Sequence, residues 1–354
     1  MVFIELNDMY VDTQCFRNIL GNSNRIAIIH HWDIDGIAAS AYLYRALYRY
    51  GIDVEFLVPE IGSYSIEAID ISKLKSFNPD LVMVIDYGIK CRDLLELKRV
   101  LDRSLVVVDH HRNEVCANID LFINPVAYGA TEIEYPSTCY TLSLIYSNSL
   151  FLDLVALSII GDLSTYVEIT KWKSYVESIL SIYGYTLRDS YRISRLVDSC
   201  YQSIDLECFN YARRDLIEGI DMIFRDGYLA WTRKELDEEL YELFNKLREN
   251  PEMVLDKVKI FKAYSKNYIV SHLGRKLADY HRDSIVVLKH YVEKLGKSYI
   301  YVRSYRYNLS SVIEELRKKG IDVGGKDRVF VITCRDPRCS ELDLLLELLS
   351  KASY

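Results

Sequence analysis

The chain has 354 residues, of which 50% are hydrophobic and 27% charged, with a formal net charge of −7. This is the profile of a soluble globular protein long enough for two ordinary domains. No apolar run reaches the roughly 18 residues of a membrane span, and the acidic balance argues against non-specific coating of long nucleic acid.

In chain order, residues 1–24 read as a helix or strand closed by the break Gly21-Asn22-Ser23-Asn24. The first eight residues lack the basic start and apolar core of a signal peptide, so a cytoplasmic location without membrane association is expected. An apolar strand over 26–29 runs into His30-His31-Trp32-Asp33-Ile34-Asp35-Gly36, and a helix over 37–50 stops at Gly51. A short strand over 54–58 and a helix over 65–75 follow. Strand 81–85 leads to Asp86, helix 91–102 comes next, and strand 105–108 leads to Asp109-His110-His111. Strand–helix–strand repetition of this kind predicts a parallel α/β sheet.

After Asn124-Pro125 and Gly129, Pro136-Ser137-Thr138 opens a helix to Tyr146, and a helix over 152–160 ends at Gly161-Asp162. From about 174 to 250 the pattern is helical with mixed charge. Strands are expected again over 258–264, 268–270, 284–288 and 298–303. A helix over 310–319, a turn at Gly324-Gly325-Lys326-Asp327-Arg328, strand 329–333 and a helix over 340–351 complete the chain. The expected fold class is α/β, with a parallel-sheet catalytic domain over 1–190, a helical connector over 191–256 and a smaller α/β domain with a mixed sheet over 257–354. The eight cysteines (15, 91, 116, 139, 200, 208, 334 and 339) include no Cys-x-x-Cys pair. They predict reduced, mostly buried thiols rather than a disulfide frame or zinc ribbon.

The chemistry concentrates where apolar strands end. Ligands of open parallel sheets sit beyond the carboxyl ends of the strands, and these ends carry His31, Asp33, Asp35, Asp86, Asp109, His110 and His111, with Asp162 at a helix end. Mixed imidazole and carboxylate ligation suits Mn²⁺, with Mg²⁺ or Co²⁺ fitting less closely. Asp33 and Asp35 point the same way in an extended segment, so each can serve one of two adjacent ions, and Asp86 can bridge them. Two such ions clamp the attacking and departing oxygens of a displacement at phosphorus. Ser137 and Thr138, hydroxyls at a helix start, suit either a phosphate or a plain helix cap.

His31-Trp32-Asp33-Ile34-Asp35-Gly36-Ile37-Ala38-Ala39-Ser40, Asp86, Asp109-His110-His111 and Gly161-Asp162 together resemble the four ordered motifs of the DHH phosphoesterase superfamily, over about 25–165. The resemblance implies one ion held by His31, Asp33 and Asp86, and a second held by Asp35, Asp86, His110 and Asp162. It implies that His111 contacts the scissile phosphate and that Asp109 orients the histidines. His30 has no counterpart and reads as a packing or supporting residue. Tyr301-Val302-Arg303-Ser304, the helix near Ser310 and Gly324-Gly325 resemble the DHH-associated C-terminal domain. There Arg303, Ser304, Gly324 and Gly325 would grip a nucleotide or strand end, with Lys326 and Arg328 standing where the family usually has a histidine and small residues.

These readings converge on a RecJ-like exonuclease that cuts single-stranded nucleic acid or short oligonucleotides to mononucleotides by two-metal hydrolysis. Its partners would be the nucleic acid itself and, in addition, replication proteins. Two rivals are a small-nucleotide phosphatase, phosphodiesterase or polyphosphatase, and a non-catalytic partner of a replicative helicase; the intact ligand pattern disfavours the second.

Overall fold

The computed structural model describes residues 3–6, 9–146, 151–321 and 323–351. The chain divides into two compact units, one of residues 1–201 and 205–231, the other of 202–204 and 232–354. The break in the helical stretch thus falls inside a helix, between Trp231 and Thr232.

The first unit starts with an antiparallel hairpin, β1 (Phe3–Leu6) and β2 (Met9–Asp12), then α1 (Thr13–Gly21). Next come β3 (Arg25–His30), α2 (Ile34–Leu47), β4 (Asp53–Leu57), α3 (Ile71–Phe77), β5 (Leu81–Ile85), α4 (Cys91–Leu101), β6 (Ser104–Val108) and β7 (Leu121–Ile123). The last five of these strands form one sheet in the order β4-β3-β5-β6-β7, with every neighbouring pair parallel. Ile26 to Ile29, Leu81 to Ile85 and Leu105 to Val108 are almost wholly buried. Unbroken apolar strands are what a sheet covered on both faces requires. Fully burying each such Ile or Val is worth roughly 2 kcal/mol.

The strand order reverses at β3, since the chain moves from β3 outward to β4 and returns to the other side of β3 for β5. At such a switch point two successive loops leave in opposite directions and open a crevice. His31 and Asp86 follow the two strands that flank it.

The rest of this unit is helical: α5 (Thr138–Ile145), α6 (Leu152–Leu163), α7 (Trp172–Ile182), α8 (Leu187–Val197), α9 (Ser199–Ser203), α10 (Leu206–Glu218), α11 (Met222–Arg225) and the start of α12 (Gly227–Leu247). Asp162 lies within the last turn of α6 rather than beyond its end. The helix expected over 65–75 is a short 3₁₀ turn followed by α3, because Asp70 accepts from Lys73 N and caps a new start.

The second unit contains β8 (Met253–Leu255), β9 (Val258–Ser265), α13 (Val270–Tyr280), β10 (Ile285–Val292), β11 (Lys297–Ser304), α14 (Ser310–Lys318), β12 (Val323–Lys326), β13 (Val329–Thr333) and α15 (Glu341–Lys351). Its sheet runs β12-β13-β11-β10-β9-β8 and is mixed, with β9–β10 the parallel pair. One face packs on α14 and α15 through Leu316, Leu345 and Leu349. The other packs on α12 and α13 through Leu240, Leu273 and Leu277. The strand expected over 268–270 is instead the approach to α13, whose apolar spacing from Val270 is helical. Gly324 and Gly325 are not in a turn; they lie in β12, where Gly325 has φ +146° and a Cβ there would sit 2.3 Å from Val329 O.

The expectation of reduced thiols is corrected. Cys91–Cys116, Cys200–Cys208 and Cys334–Cys339 are disulfides, with Cα–Cα separations of 5.2, 5.1 and 5.0 Å. Cys15 and Cys139 take part in no disulfide among the described residues. Sequence separations of 25, 8 and 5 residues show no motif, because folding rather than local spacing brings the partners together. Among the described residues no helix is long and apolar enough to cross a membrane.

Candidate metal centre

Local backbone chemistry aims each donor into the crevice. His31 N–H donates to Ile85 O at 3.2 Å, which ties the loop after β3 to the end of β5. Asp33 then caps α2 by accepting from Gly36 N at 3.2 Å. A Cβ on Gly36 would lie 2.5 Å from His31 O, so only glycine fits that turn. Asp86 follows β5 with φ +61°, in the left-handed region that Asp tolerates better than most residues.

Three overlapping donor groups result: His31, Asp33 and Asp86; Asp35, His110 and Asp162; and Asp86, His110 and His111. His31 Nδ1 lies 2.8 Å from Asp33 Oδ2 and 3.8 Å from Asp86 Oδ2. His110 Nε2 lies 2.9 Å from Asp162 Oδ2, 3.5 Å from Asp86 Oδ1 and 3.7 Å from Asp35 Oδ2. The far nitrogen of His110, Nδ1, is 3.2 Å from Tyr135 O, which fixes the ring. Asp109 accepts from three backbone N–H groups, those of His110, His111 and Gly88, at 2.7, 2.9 and 2.7 Å. It also holds His111 Nδ1 at 2.8 Å. His30 is fully buried beside these groups, with Nδ1 2.7 Å from His31 O.

Electrostatics show what this arrangement lacks. Burial, then the charge of Asp162, pushes Asp35 up to about 8. Burial, with the charges of Asp35 and Asp33, pushes Asp86 well above the usual carboxylate range. Burial opposes a charged His110, but Asp162, together with the charges of Asp35 and Asp109, raises the imidazole to about 10. Burial likewise opposes ionisation of Asp109, and His111 outweighs it to hold the carboxyl at about 2. His31 Nδ1, Asp86 Oδ2 and His110 Nε2 are buried with no hydrogen bond to satisfy them. Close donor atoms without hydrogen bonds, among carboxylates that repel one another, are what a divalent cation between them resolves. The residues present therefore fit a metal ion.

Ser137 and Thr138 are placed differently from a phosphate grip. Both are fully buried. Ser137 Oγ caps α5 at Tyr140 N and meets Ser158 Oγ at 2.8 Å. Thr138 Oγ1 donates to Asp86 Oδ1 at 2.8 Å, and the N–H groups of Thr138 and Cys139 donate to Asp35 at 2.6 and 3.1 Å. The positive end of α5 is spent on a site carboxylate.

In the second unit, Arg303 stacks its guanidinium 4.9 Å from the Tyr305 ring, and its buried Nε has no hydrogen-bond partner. Arg328 donates to Tyr305 O at 2.9 Å. Ser304 is buried and accepts from Arg306 N and Tyr307 N, so it shapes a turn rather than offering a hydroxyl to a ligand. Gly324 and Gly325 are strand residues, and the Lys326 side chain lies outside the described residues. Phe330 is core.

Three contacts had no signal in the sequence. Tyr64 Oη meets His31 Nε2 at 3.2 Å, and its partly exposed ring stacks on that imidazole. Asp198 accepts from Ile34 N at 3.1 Å, holding the first turn of α2 from 164 residues away. Arg213 approaches His30 Nε2 at 3.4 Å and stacks 4.0 Å from the Phe56 ring.

No curated protein sequence matches the chain. Among solved structures it is similar to RecJ in complex with Mn²⁺ from Thermus thermophilus, with TM-score 0.68 and 16% identity over 96% of this chain and 54% of that one. This chain thus spans about half the length of that relative. A manganese-bound exonuclease RecJ gives TM-score 0.64 at 15% identity, covering 99% of this chain and 94% of the other. The DHH domain of a member of the s1p family of ribosomal proteins gives 0.67 at 16% identity, covering 96% and 88%. At these identities the likeness is one of fold. Residues 25–159 match the sequence profile of the DHH family, N-terminal domain. That segment, with the similar folds, is consistent with a DHH superfamily phosphoesterase.

Proposed function

We propose that this chain is a metal-dependent phosphodiesterase that shortens single-stranded DNA or RNA, or short oligonucleotides, from an end to release mononucleotides. One observation carries the reading. Asp86 turns Oδ2 towards His31 and Oδ1 towards His110, so a single carboxylate spans two donor sets. His31, Asp33 and Asp86 would hold one ion, and Asp35, Asp86, His110 and Asp162 the second. The mixed donor set favours Mn²⁺, with Mg²⁺ or Co²⁺ as alternatives, and RecJ structures of this fold contain Mn²⁺ or Mg²⁺. Bound there, the ions supply a lowered pKa for water and neutralisation of phosphate charge.

The chain's own groups do the rest. His111 is the most open imidazole of the site, with its side chain 37% exposed. Burial works against its charged form, but Asp109 raises its pKa, so the ring carries a second proton more readily. With Nδ1 held by Asp109, the proton on Nε2 is the one available to a phosphate or a departing oxygen. Thr138 steadies Asp86, and α5 steadies Asp35. Tyr64, beside His31, offers a ring to a base next to the reacting phosphate. Arg303 and Arg328 are the guanidinium groups of the second unit suited to phosphate.

The test is release of mononucleotide from 5′- and 3′-labelled single strands, from dinucleotides to roughly 20-mers, in DNA and RNA, with and without Mn²⁺, using Asp109→Ala as the blank. Progressive shortening of the longer strands supports the reading and gives its polarity. Activity confined to dinucleotides or small phosphate esters replaces the substrate, and no hydrolysis of any of them sinks the enzyme.

A further inference from the structure

The sheet of the second unit carries a surface that the proposed reaction does not use. On one face of β9, Val258 and Ile260 are buried, whereas Lys262 and Tyr264 are exposed. On the same face of β10, Ile285 and Val287 are buried, whereas Lys289 and Tyr291 are half-exposed. Alternate residues share a face, so all eight continue the surface that packs on α14 and α15. That core includes Ile260 and Val287 and stops there. Beyond it the pattern changes from apolar to basic and aromatic.

The parallel register sets Lys262 opposite Lys289 and Tyr264 opposite Tyr291. The two tyrosine rings lie 6.0 Å apart, and the Lys262 ammonium lies 5.9 Å from the Tyr264 ring centre. The segment Pro337-Arg338 borders a hollow of about 440 Å³ that these side chains line. Among the described residues no carboxylate lines it, and the nearby Asp336 accepts from the backbone N–H of Arg338. Lys289 donates to the carbonyl of Arg338, and among the described residues Lys262, Lys289 and Arg338 form no ion pair.

Folding gains little from the paired lysines. Like charges directly opposite on neighbouring strands are destabilising, and the Tyr264 ring is left 62% exposed. In a chain of net charge −7, three cations with no ion pair among the described residues, beside an open aromatic ring, suit a polyanion that carries flat rings of its own. We propose that this face binds single-stranded nucleic acid, with phosphates on Lys262, Lys289 and Arg338 and an unpaired base stacked on Tyr264. A duplex keeps its bases stacked inside, and an acidic peptide would leave the ring unused.

The surface is separate from Arg303 and Ser304. Tyr291 pairs with Ser298 at one end of β11, and Ile285 pairs with Ser304 at the other. The five steps from Ser298 to Arg303 span roughly 17 Å of strand. The proposal goes beyond the hydrolase reading and does not depend on it, since binding needs no metal.

The experiment is fluorescence anisotropy of a labelled single strand with the full chain in EDTA, across a range of salt. Replacing both lysines, Lys262→Ala with Lys289→Ala, should weaken binding and flatten the slope of log affinity against log salt by about 1.4, the share of two phosphate contacts. Tyr264→Ala should weaken binding about 5- to 100-fold, while Tyr264→Phe, which keeps the ring, should bind as the parent does. An unchanged slope in the double variant overturns the proposal, as does unchanged affinity in Tyr264→Ala. Equal binding of a duplex, or full displacement of the strand by phosphatidylserine-rich vesicles, overturns it in favour of a general polyanion surface. Failure of hydrolysis with binding intact would reject the enzyme and leave this surface standing.

Discussion

The two sheets hold their polar residues in different places. In the parallel sheet of the first unit, the three central strands β3, β5 and β6 are apolar between their ends and the donor groups follow them, at His31, Asp86 and Asp109. In the mixed sheet of the second, Lys262, Tyr264, Lys289 and Tyr291 lie within strands, on a face the helices cover only in part. A sheet buried on both faces has room for chemistry only at its rim, where loops supply backbone N–H groups to hold the charges. A half-covered sheet can carry polar groups mid-strand, where they are solvated and need little support. Substitutions should therefore act through buried charge and crowding in the first unit, and through exposed contacts in the second.

The largest expected effect is at Asp86. Asp86→Asn should lower hydrolysis by about a thousandfold or more, because it removes the shared ligand. In EDTA the same variant should unfold at a higher temperature, since one of several repelling buried carboxylates is gone. A lower unfolding temperature in EDTA would break the comparison, making the carboxylate a structural element.

His290 in β10 tests the second unit's core rather than its surface. Burial pushes it from 6.5 down to about 4, with its ring held at 2.6 Å by Ser265 Oγ. Between those values the unfolded chain binds more protons than the folded one. Stability is therefore fully present above about pH 6.5 and is lost as pH falls through about 4, by about 3 kcal/mol in all. Urea denaturation at pH 7 and pH 4.5 should show most of that loss, and His290→Gln should flatten it.

Gly36→Ala should cost about 2 kcal/mol, because the added methyl meets His31 O and the loop must shift. Metal titration by calorimetry should show weaker binding in the same variant. The smallest effect belongs to Lys262→Ala, with a stability change within about 0.5 kcal/mol and of stabilising sign, since it relieves the repulsion from Lys289. A clear loss in its denaturation midpoint would show that the exposed face is integral to the fold.

The parallel α/β class was legible because long apolar runs have few alternatives; β5 and β13 match their expected limits, 81–85 and 329–333. Of the residues that gather in the crevice, His31, Asp86, His110 and His111 stood out because they closely follow such runs, whereas Asp162 lies in a helix. Where local patterns conflict, the reading slipped. Tyr268 to Val270 is apolar and short, and the helical spacing that follows it decides its form. Asp70 starts a helix in the middle of a segment that looks continuous. Contacts made across the fold leave no local trace, as with Asp198 on Ile34, Arg213 beside His30 and the three disulfides. Thr138 was noticed for its hydroxyl, but its partner, Asp86, is 52 residues distant.

The backbone at Asp86 also limits how this chain can vary. With φ at +61°, the position accepts glycine, asparagine or aspartate with little strain and penalises most other residues. The two donor sets demand a carboxylate, which glycine and asparagine do not have, and glutamate would place one a methylene too far out on a disfavoured backbone. Aspartate alone meets both demands. Drift at this site can therefore only abolish the shared ligand, never remodel it, so the identity of one residue becomes a simple marker of whether a related chain has kept the centre or given it up.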